Sequence, residues 1–352
     1  MFGAVFSRKR IFMTGHTGFK GSWLTVWLNR LGADVYGYSL APPSEPSMFR
    51  LVGLENDQPG QQGDIRDLET LTKAMREFRP DIVIHMAAQS LVRRSYREPV
   101  DTFATNVMGT VNVLEAARHV PSVRGIINVT SDKCYENLEM GRAFREQDPL
   151  GGSDPYSASK GCAELVARSW GTSFCQDGGP ILISVRAGNV IGGGDFAEDR
   201  LLPDMARAFS DSRPVHIRSP KAIRPWQFVL EPLSGYLALA QKALEGDTDY
   251  AGGWNFGPAT KDTQTVGNIV QQFARHWGDS AKVELDSAPQ PHEAETLRLD
   301  CTKSKQELGW QPRTDIQVAM DWTAEWYKAW HAQTANLREL TERQIQRFEE
   351  LP

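Results

Sequence analysis

Residues 11–21 constrain this chain more than any other stretch. Ile11-Phe12-Met13 is a short apolar run that reads as a buried strand, and it leads directly into Thr14-Gly15-His16-Thr17-Gly18-Phe19-Lys20-Gly21. Trp23, Leu24, Trp27, Leu28 and Leu31 then recur at helical spacing, which predicts a helix through about Leu31 with one apolar stripe. The tryptophans on that stripe read as core. Glycines between a strand and a helix have separate uses: a tight turn at Gly15, backbone approach to a pyrophosphate at Gly18, and close helix-to-strand packing at Gly21. The helix amino terminus then offers N–H groups to phosphates. The spacing is G-x-x-G-x-x-G, a variant of the usual dinucleotide-binding turn, and a plain glycine-rich turn is the alternative. The strand before and the helix after favour cofactor binding, with Thr17, Phe19 and Lys20 carried in the same turn.

The pattern then repeats. Asp34 to Tyr38 reads as a second strand, and an acidic residue that would hold a ribose is expected near Ser39, where none stands. No arginine is there for a 2'-phosphate either, so the choice between NAD and NADP is weakly specified, and NAD is the expectation. Gly63 to Asp67 closes a third strand, with Asp64 and Ile65 placed to meet an adenine. Asp67 is a natural N-cap for a helix to Phe78, which Pro80 closes. Asp81 to Met86 is a fourth strand emptying into Ala87-Ala88-Gln89, whose small residues let a cofactor lie against the backbone. His85, inside that apolar run, reads as a core histidine. Val100 to Ala117 forms a long helix in which Asn106 interrupts an apolar face and seeks backbone partners behind the fourth and fifth strands. A further helix from about Tyr156 to Phe174 precedes the strand Ile181 to Arg186. Alternating strands and helices predict an α/β fold, a Rossmann-type doubly wound parallel sheet over 1–186. From 187 to 352 a smaller C-terminal lobe is expected, mainly for substrate, with some segments returning to the first domain. The tail from Leu337 to Glu350 is expected to be helical, and solvated or packed at an edge.

One stretch, from Ile126 to Lys160, concentrates the chemistry. A buried strand ends in Thr130-Ser131-Asp132-Lys133, and Tyr156-Ser157-Ala158-Ser159-Lys160 follows. Tyr156 and Lys160 lie one helical turn apart and share a face. A phenol ionises near pH 10 in water; an ammonium beside it favours the phenolate and can also hold a cofactor sugar. By itself Tyr-x-x-x-Lys is short enough to arise by chance, and the cofactor turn is what gives it weight. For Asp132-Lys133 the bland alternative is a surface ion pair. Beyond Ala187 the chain turns polar and glycine-rich, and Arg200, Arg218 and Arg224 are candidate clamps for a phosphate-bearing substrate, each alternatively an ordinary surface ion-pair residue.

The formal charge of -5 gives no reason to expect nucleic acid as a partner. Cys134, Cys162, Cys175 and Cys301 show no C-x-x-C pair or zinc spacing, so no metal site is expected and reduced thiols are. The amino terminus does not read as a signal peptide and no long apolar span follows, so no membrane association and a cytoplasmic location are expected.

Taken together, the glycine turn, Ala87-Ala88-Gln89 and Tyr156-x-x-x-Lys160 resemble the extended short-chain dehydrogenase/reductase superfamily. Within it the likeness is to the nucleotide-sugar 4,6-dehydratases, nearest to those acting on CDP-glucose. It runs through Thr130 to Asn137, Asp148 to Gly152, Arg186 to Asp195 and Arg224-Pro225-Trp226-Gln227. The Asp132-Lys133 pair discriminates, since dTDP-glucose enzymes carry Asp-Glu there. The resemblance implies NAD as cofactor, Tyr156 as the base at the sugar 4-hydroxyl and Thr130 as its hydrogen-bonding partner. It implies Asp132 as the acid at the 6-hydroxyl and Lys133 as the base at C5, the last needing a lowered pKa. Cofactor contacts are implied for Gly15, Thr17, Gly18, Phe19, Lys20, Gly21, Asp64, Ile65, Ala87, Ala88, Gln89, Asn106, Thr130, Tyr156 and Lys160. Substrate contacts fall to Asn189, Arg200, Arg218 and Arg224. It also implies a homodimer or homotetramer built on the helices from Val100 and Tyr156. Phe196 departs from the tryptophan expected after Gly194-Asp195, and the segment 138–144 lacks the aromatic residues expected of the family after Glu136-Asn137. An enzyme on another NDP-hexose, a C4 epimerase, or a silent cofactor-binding scaffold are the competing readings.

Overall fold

The computed structural model describes residues 1–137, 141–176, 178–217, 220–259, 262–278, 281–285 and 297–352. Its strands are β1 (Arg10–Thr14), β2 (Asp34–Ser39), β3 (Gly60–Gln62), β4 (Ile82–His85), β5 (Gly125–Val129), β6 (Ile181–Ala187), β7 (Asn189–Ile191), β8 (Pro214–Ile217), β9 (Ile223–Phe228), β10 (Gly252–Phe256), β11 (Thr263–Thr265) and β12 (Lys282–Leu285). Seven of them form one sheet in the order β10-β6-β5-β4-β1-β2-β3. Every pairing in it is parallel. The order reverses between β1 and β4, which is where an open α/β sheet leaves a crevice beyond its strand ends.

Side chains alternate across this sheet as the pleat requires. Ile11 and Met13 enter a core with Trp23, Trp27 and Phe228, whereas Phe12 enters a second core with Val83, Leu71 and Ile126. Both faces are therefore covered, which is why the strands read as continuous apolar runs. The Phe19–Arg30 helix buries Trp23, Leu24, Trp27 and Leu28 as its stripe predicts. Asp67 caps the Leu68–Phe78 helix by accepting from the Thr70 N–H at 3.1 Å.

Two elements differ from the sequence expectation. The third strand stops at Gln62, so Gly63 to Asp67 form the connection after it. The helix expected over 100–117 is interrupted: Pro99–Phe103 and Gly109–Arg118 are α-helical, but Ala104–Met108 between them is a π turn. Such widened turns re-aim a side chain at the expense of regular hydrogen bonding. The Leu337–Glu350 tail is helical, and of the two expected settings, solvated or packed at an edge, it takes the packed one. It buries Leu340, Ile345 and Phe348, and Phe348 meets Trp27 edge-on with ring centroids 5.7 Å apart.

Beyond β6 the chain builds two small sheets, β11-β9-β7 and β12-β8, on one side of the crevice. It also returns to the large sheet, where β10 pairs with β6, and the Leu230–Glu245 helix packs Ala243 against Gly125 of β5.

Candidate active site

A cavity of about 1700 Å³ opens at the carboxyl ends of the parallel strands and continues under β8 and β9. Its floor is the glycine turn. Gly15 has φ +78°, and a Cβ there would lie 2.6 Å from the Ala87 nitrogen; at Gly21 it would lie 2.2 Å from the Gly15 carbonyl oxygen. Those two glycines are demanded by packing. At Gly18 the nearest atom is the Gly15 oxygen at 3.4 Å, so the missing side chain there leaves room in the cavity itself. Gly18 is the N-cap of the first helix, and no side chain caps that helix. Ala87 and Ala88 line the opposite wall. Uncommitted helical N–H groups beside a space cleared of side chains fit the pyrophosphate of a dinucleotide.

Around that floor, Thr17 donates to the Leu40 carbonyl at 3.1 Å, tying the turn to the end of β2. Asp64 is salt-bridged to Arg66 at 2.6 Å, and that pairing holds its carboxyl below the usual range. Ile65 lies under Gly109, where a Cβ would strike it at 2.4 Å. Phe19 and Gln89 line the cavity as well. Ser39 does not wait for a ribose: its hydroxyl pairs with His16 Nδ1 at 2.7 Å. His85 is the buried core histidine expected, held between Thr14 at 2.7 Å and Thr110 at 3.1 Å.

The cluster of candidate catalytic residues stands where β5 meets the Pro155–Phe174 helix. Asp154 caps this helix by accepting from the Ser157 N–H, and Pro155 starts it, so Tyr156 is fixed in the first turn. Tyr156 is further pinned through its backbone N–H, which donates to Ser95 Oγ at 3.1 Å. Lys160 follows one turn on, its ammonium donating to the Val129 carbonyl at 3.4 Å. Burial pushes the Tyr156 phenol up to about 12, against a hydrogen bond from Ser131 and the positive charge of Arg200, which pull it down. The expectation was that Lys160 would do the pulling; in the structure Ser131 is the closer influence. Burial pushes Lys160 down to about 8, while Glu164 opposes it.

Ser131 is the residue that sequence reasoning missed. Its hydroxyl donates to Asp132 Oδ1 at 3.0 Å, accepts from the Lys133 N–H at 3.3 Å and meets the Tyr156 hydroxyl. Thr130, selected for that place, is buried with its hydroxyl turned to Glu164 and to the Val185 carbonyl. In a strand successive side chains point to opposite sides, so a one-residue choice decides which hydroxyl faces the site. Asp132 is buried and its carboxyl is pushed upward, chiefly by loss of solvent, with Lys133 opposing. Gly188 packs against it: a Cβ there would lie 2.9 Å from Asp132 Oδ2.

Lys20, placed with the cofactor turn from sequence, reaches into this cluster. Burial lowers it to about 8, and Lys160, Arg200, Asp132 and Asp195 all act on it. Asn106 does not face the cavity. Its amide donates to the Gln89 carbonyl at 2.9 Å and Ser159 Oγ at 2.8 Å, and accepts from the Gln89 N–H at 2.8 Å. It joins the loop after β4 to the Tyr156 helix, as a residue seeking backbone partners should. On the substrate side, Asn189, Arg200 and Arg224 line the cavity, Arg200 bound to Asp195 at 3.0 Å. Arg218 lies outside the described residues. Phe196 is buried, stacked edge-on against Trp330 and Tyr327.

A parallel sheet switching direction at a glycine turn, with a tyrosine and lysine on one helix at the end of β5, defines an extended short-chain dehydrogenase/reductase. The family described as GDP-mannose 4,6 dehydratase matches residues 12–322, and the chain belongs to it. A CDP-glucose 4,6-dehydratase of Salmonella typhimurium is 51% identical over 327 residues, covering 92% of this chain and 91% of that protein. Among solved structures, a UDP-glucose 4-epimerase of Thermus thermophilus in complex with NAD superposes with TM-score 0.76 at 26% identity, over 91% of this chain and 99% of that one. A dTDP-glucose 4,6-dehydratase of Streptomyces venezuelae superposes with TM-score 0.77 at 23% identity, over 93% and 99% of the two chains, which speaks for the fold.

Proposed function

We propose that this chain is a CDP-glucose 4,6-dehydratase that converts CDP-D-glucose to CDP-4-keto-6-deoxy-D-glucose and water with bound NAD. The observation that carries the reading is the placement of Asp132, Lys133, Ser131 and Tyr156 around one cavity. NAD, when bound against Gly15, Gly18, Gly21, Ala87 and Ala88, supplies a hydride acceptor at the start of turnover and a donor at its end. Tyr156 takes the proton of the sugar 4-hydroxyl in its phenolate form, which Ser131 and the positive charge of Arg200 favour against burial. Oxidation at C4 acidifies the C5 proton, and Lys133 removes it. Asp132, whose carboxyl burial pushes upward toward the protonated form, is the acid that gives a proton to the departing 6-hydroxyl. Arg200 and Arg224, both lining the cavity, would hold the substrate diphosphate. A C4 epimerase needs a tyrosine and a cofactor but has no use for a buried acid beside a lysine, so Asp132 argues against it.

The division into a cofactor domain over 1–186 and a substrate lobe over 187–352 belongs to the same reading. So does a homo-oligomer: Val100, Phe103 and Met108 of the interrupted helix are exposed at 82, 37 and 53%, Tyr96 of the preceding Val92–Arg97 helix at 61%, and Leu165 of the Tyr156 helix is also exposed. Exposed apolar rows of this kind are the usual material of subunit contacts. Among the described residues no helix is long and apolar enough to cross a membrane, and a cytoplasmic location fits.

The test is incubation with NAD and a panel of NDP-hexoses, reading 4-keto-6-deoxy product by its alkaline absorbance. Product from CDP-glucose in preference to the others is expected. Product from a different NDP-hexose would keep the mechanism and reject the substrate. Recovery of the C4 epimer alone would reject the dehydratase.

A further inference from the structure

Behind the catalytic cluster lies a buried ion pair that the chemistry above does not use. Glu164 follows Lys160 by one helical turn and so shares its face. Its carboxylate accepts from Arg186 Nε at 2.9 Å and Nη2 at 2.7 Å, and from the Thr130 hydroxyl. The side chains are 3% and 5% exposed. Arg186 Nη1 donates to the Tyr135 hydroxyl at 2.6 Å and the Glu146 carbonyl at 3.0 Å. The fold makes room for it: a Cβ at Gly253 of β10 would lie 2.6 Å from Nη2. Three elements thus meet on one carboxylate, namely the end of β5, the end of β6 and the helix bearing Tyr156 and Lys160.

We infer that Glu164 is a positioning residue for the proposed reaction, holding Thr130 and the catalytic helix in register and fixing an anion one helical turn from Lys160. A buried pair is weak material for stability, since apolar replacements of both partners are often neutral or stabilising. What it supplies is a fixed negative charge at one place. Of the pair, Glu164 is the member that acts on Lys160. The nearby carboxylates Asp132 and Asp195 act on Lys20 rather than on Lys160. Tyr156 is a neutral phenol on the same helix, Cys134 contributes a buried thiol, His85 is neutral, and Lys20 is a second cation. Without Glu164 the ammonium would face burial and a like charge together, and both disfavour it.

This inference rests on the dehydratase reading for its activity assay and on NAD binding for a second readout. In the double variant Glu164→Gln/Arg186→Met both buried charges go, so folding does not depend on a lone one. The expected result is a melting temperature close to that of the wild type and an alkaline limb of kcat displaced by about one pH unit toward acid. KM for CDP-glucose should stay within about twofold. NAD affinity, measured by calorimetry without substrate, should fall with rising pH at a correspondingly lower midpoint. Glu164→Asp, which keeps the charge, should retain the wild-type limb. If the double variant does not fold, Glu164→Gln alone is read in the same way. Coincident pH profiles for wild type and variant, in binding and in turnover, would overturn the inference. A wild type inactive on CDP-glucose would reject the dehydratase reading instead, and the NAD profile would still decide the role of Glu164.

Discussion

At positions 15, 18 and 21 one residue type meets three different demands, and the demands can be separated experimentally. Gly21→Ala forces a Cβ to within 2.2 Å of the Gly15 oxygen, so the variant should melt several degrees lower. Gly18→Ala adds a methyl group where the nearest atom is 3.4 Å away. Its melting temperature should stay near that of the wild type while NAD affinity falls by about tenfold or more, measured by calorimetry. The same logic distinguishes the two hydroxyls after β5. Ser131→Ala removes the group linking Tyr156, Asp132 and the Lys133 N–H. A loss in kcat of about 10 to 100-fold is expected, with little change in melting temperature, from a steady-state assay. Thr130→Val acts instead through Glu164 and should be read in stability first. Thr130 and Ser131 are adjacent and chemically alike, so sequence offered no ground for choosing; the facing direction of the strand end made the choice.

Among the elements, the helix Leu230–Glu245 carries a carboxylate that sets its own pH dependence. Glu231 accepts from the backbone N–H groups of Arg313 and Thr314 and from the Thr314 hydroxyl. Burial still dominates and pushes it up to about 7. A folded pKa above the unfolded one means that the native state holds the extra proton, so the stabilising contribution is complete at low pH. It is lost as the pH rises from about 4.5 toward 7. Glu231→Gln has no proton to lose, so its melting temperature should improve relative to wild type between pH 5 and pH 8. The limiting difference is on the order of 3 kcal/mol. A constant difference across that range, by calorimetry, would contradict this account. The π turn at Ala104–Met108 is likewise an element-level device: it aims Asn106 at both the loop after β4 and Ser159. Apolar spacing predicted one continuous helix because the turn's interruption leaves no punctuation in the residue types.

For the molecule as a whole, the face carrying Tyr96, Val100, Phe103 and Met108 stands apart from the covered sheet. Val100→Asp places a charge where the side chain is 82% exposed, so the monomer fold should be unaffected. Sedimentation velocity should then show a homo-oligomer for the wild type and a shift to monomer for the variant. A monomeric wild type at micromolar concentration would reject the proposed assembly. The C-terminal tail shows the complementary case. Its residues left solvation and edge packing both open, and Phe348 and Glu349 engage Trp27 across more than three hundred residues of chain, a pairing that no local pattern can announce.

What the sequence determined by itself is whatever depends on local order. The glycine spacing, the apolar strand runs and the helical stripe each reflect a short-range steric or solvation requirement, and together they specified the parallel sheet and its cofactor turn. Tyr156, Lys160, Asp132 and Lys133 were legible because their types and spacing are uncommon in combination. Tertiary structure decided whatever depends on direction and company. It turned Thr130 to Glu164 and Ser131 to Tyr156, and it seated Lys20 among the catalytic groups. It also buried Glu164 against Arg186. Those outcomes follow from which strand end meets which helix, and a charge or hydroxyl acquires its function from the neighbours that the fold brings within about 3 Å of it.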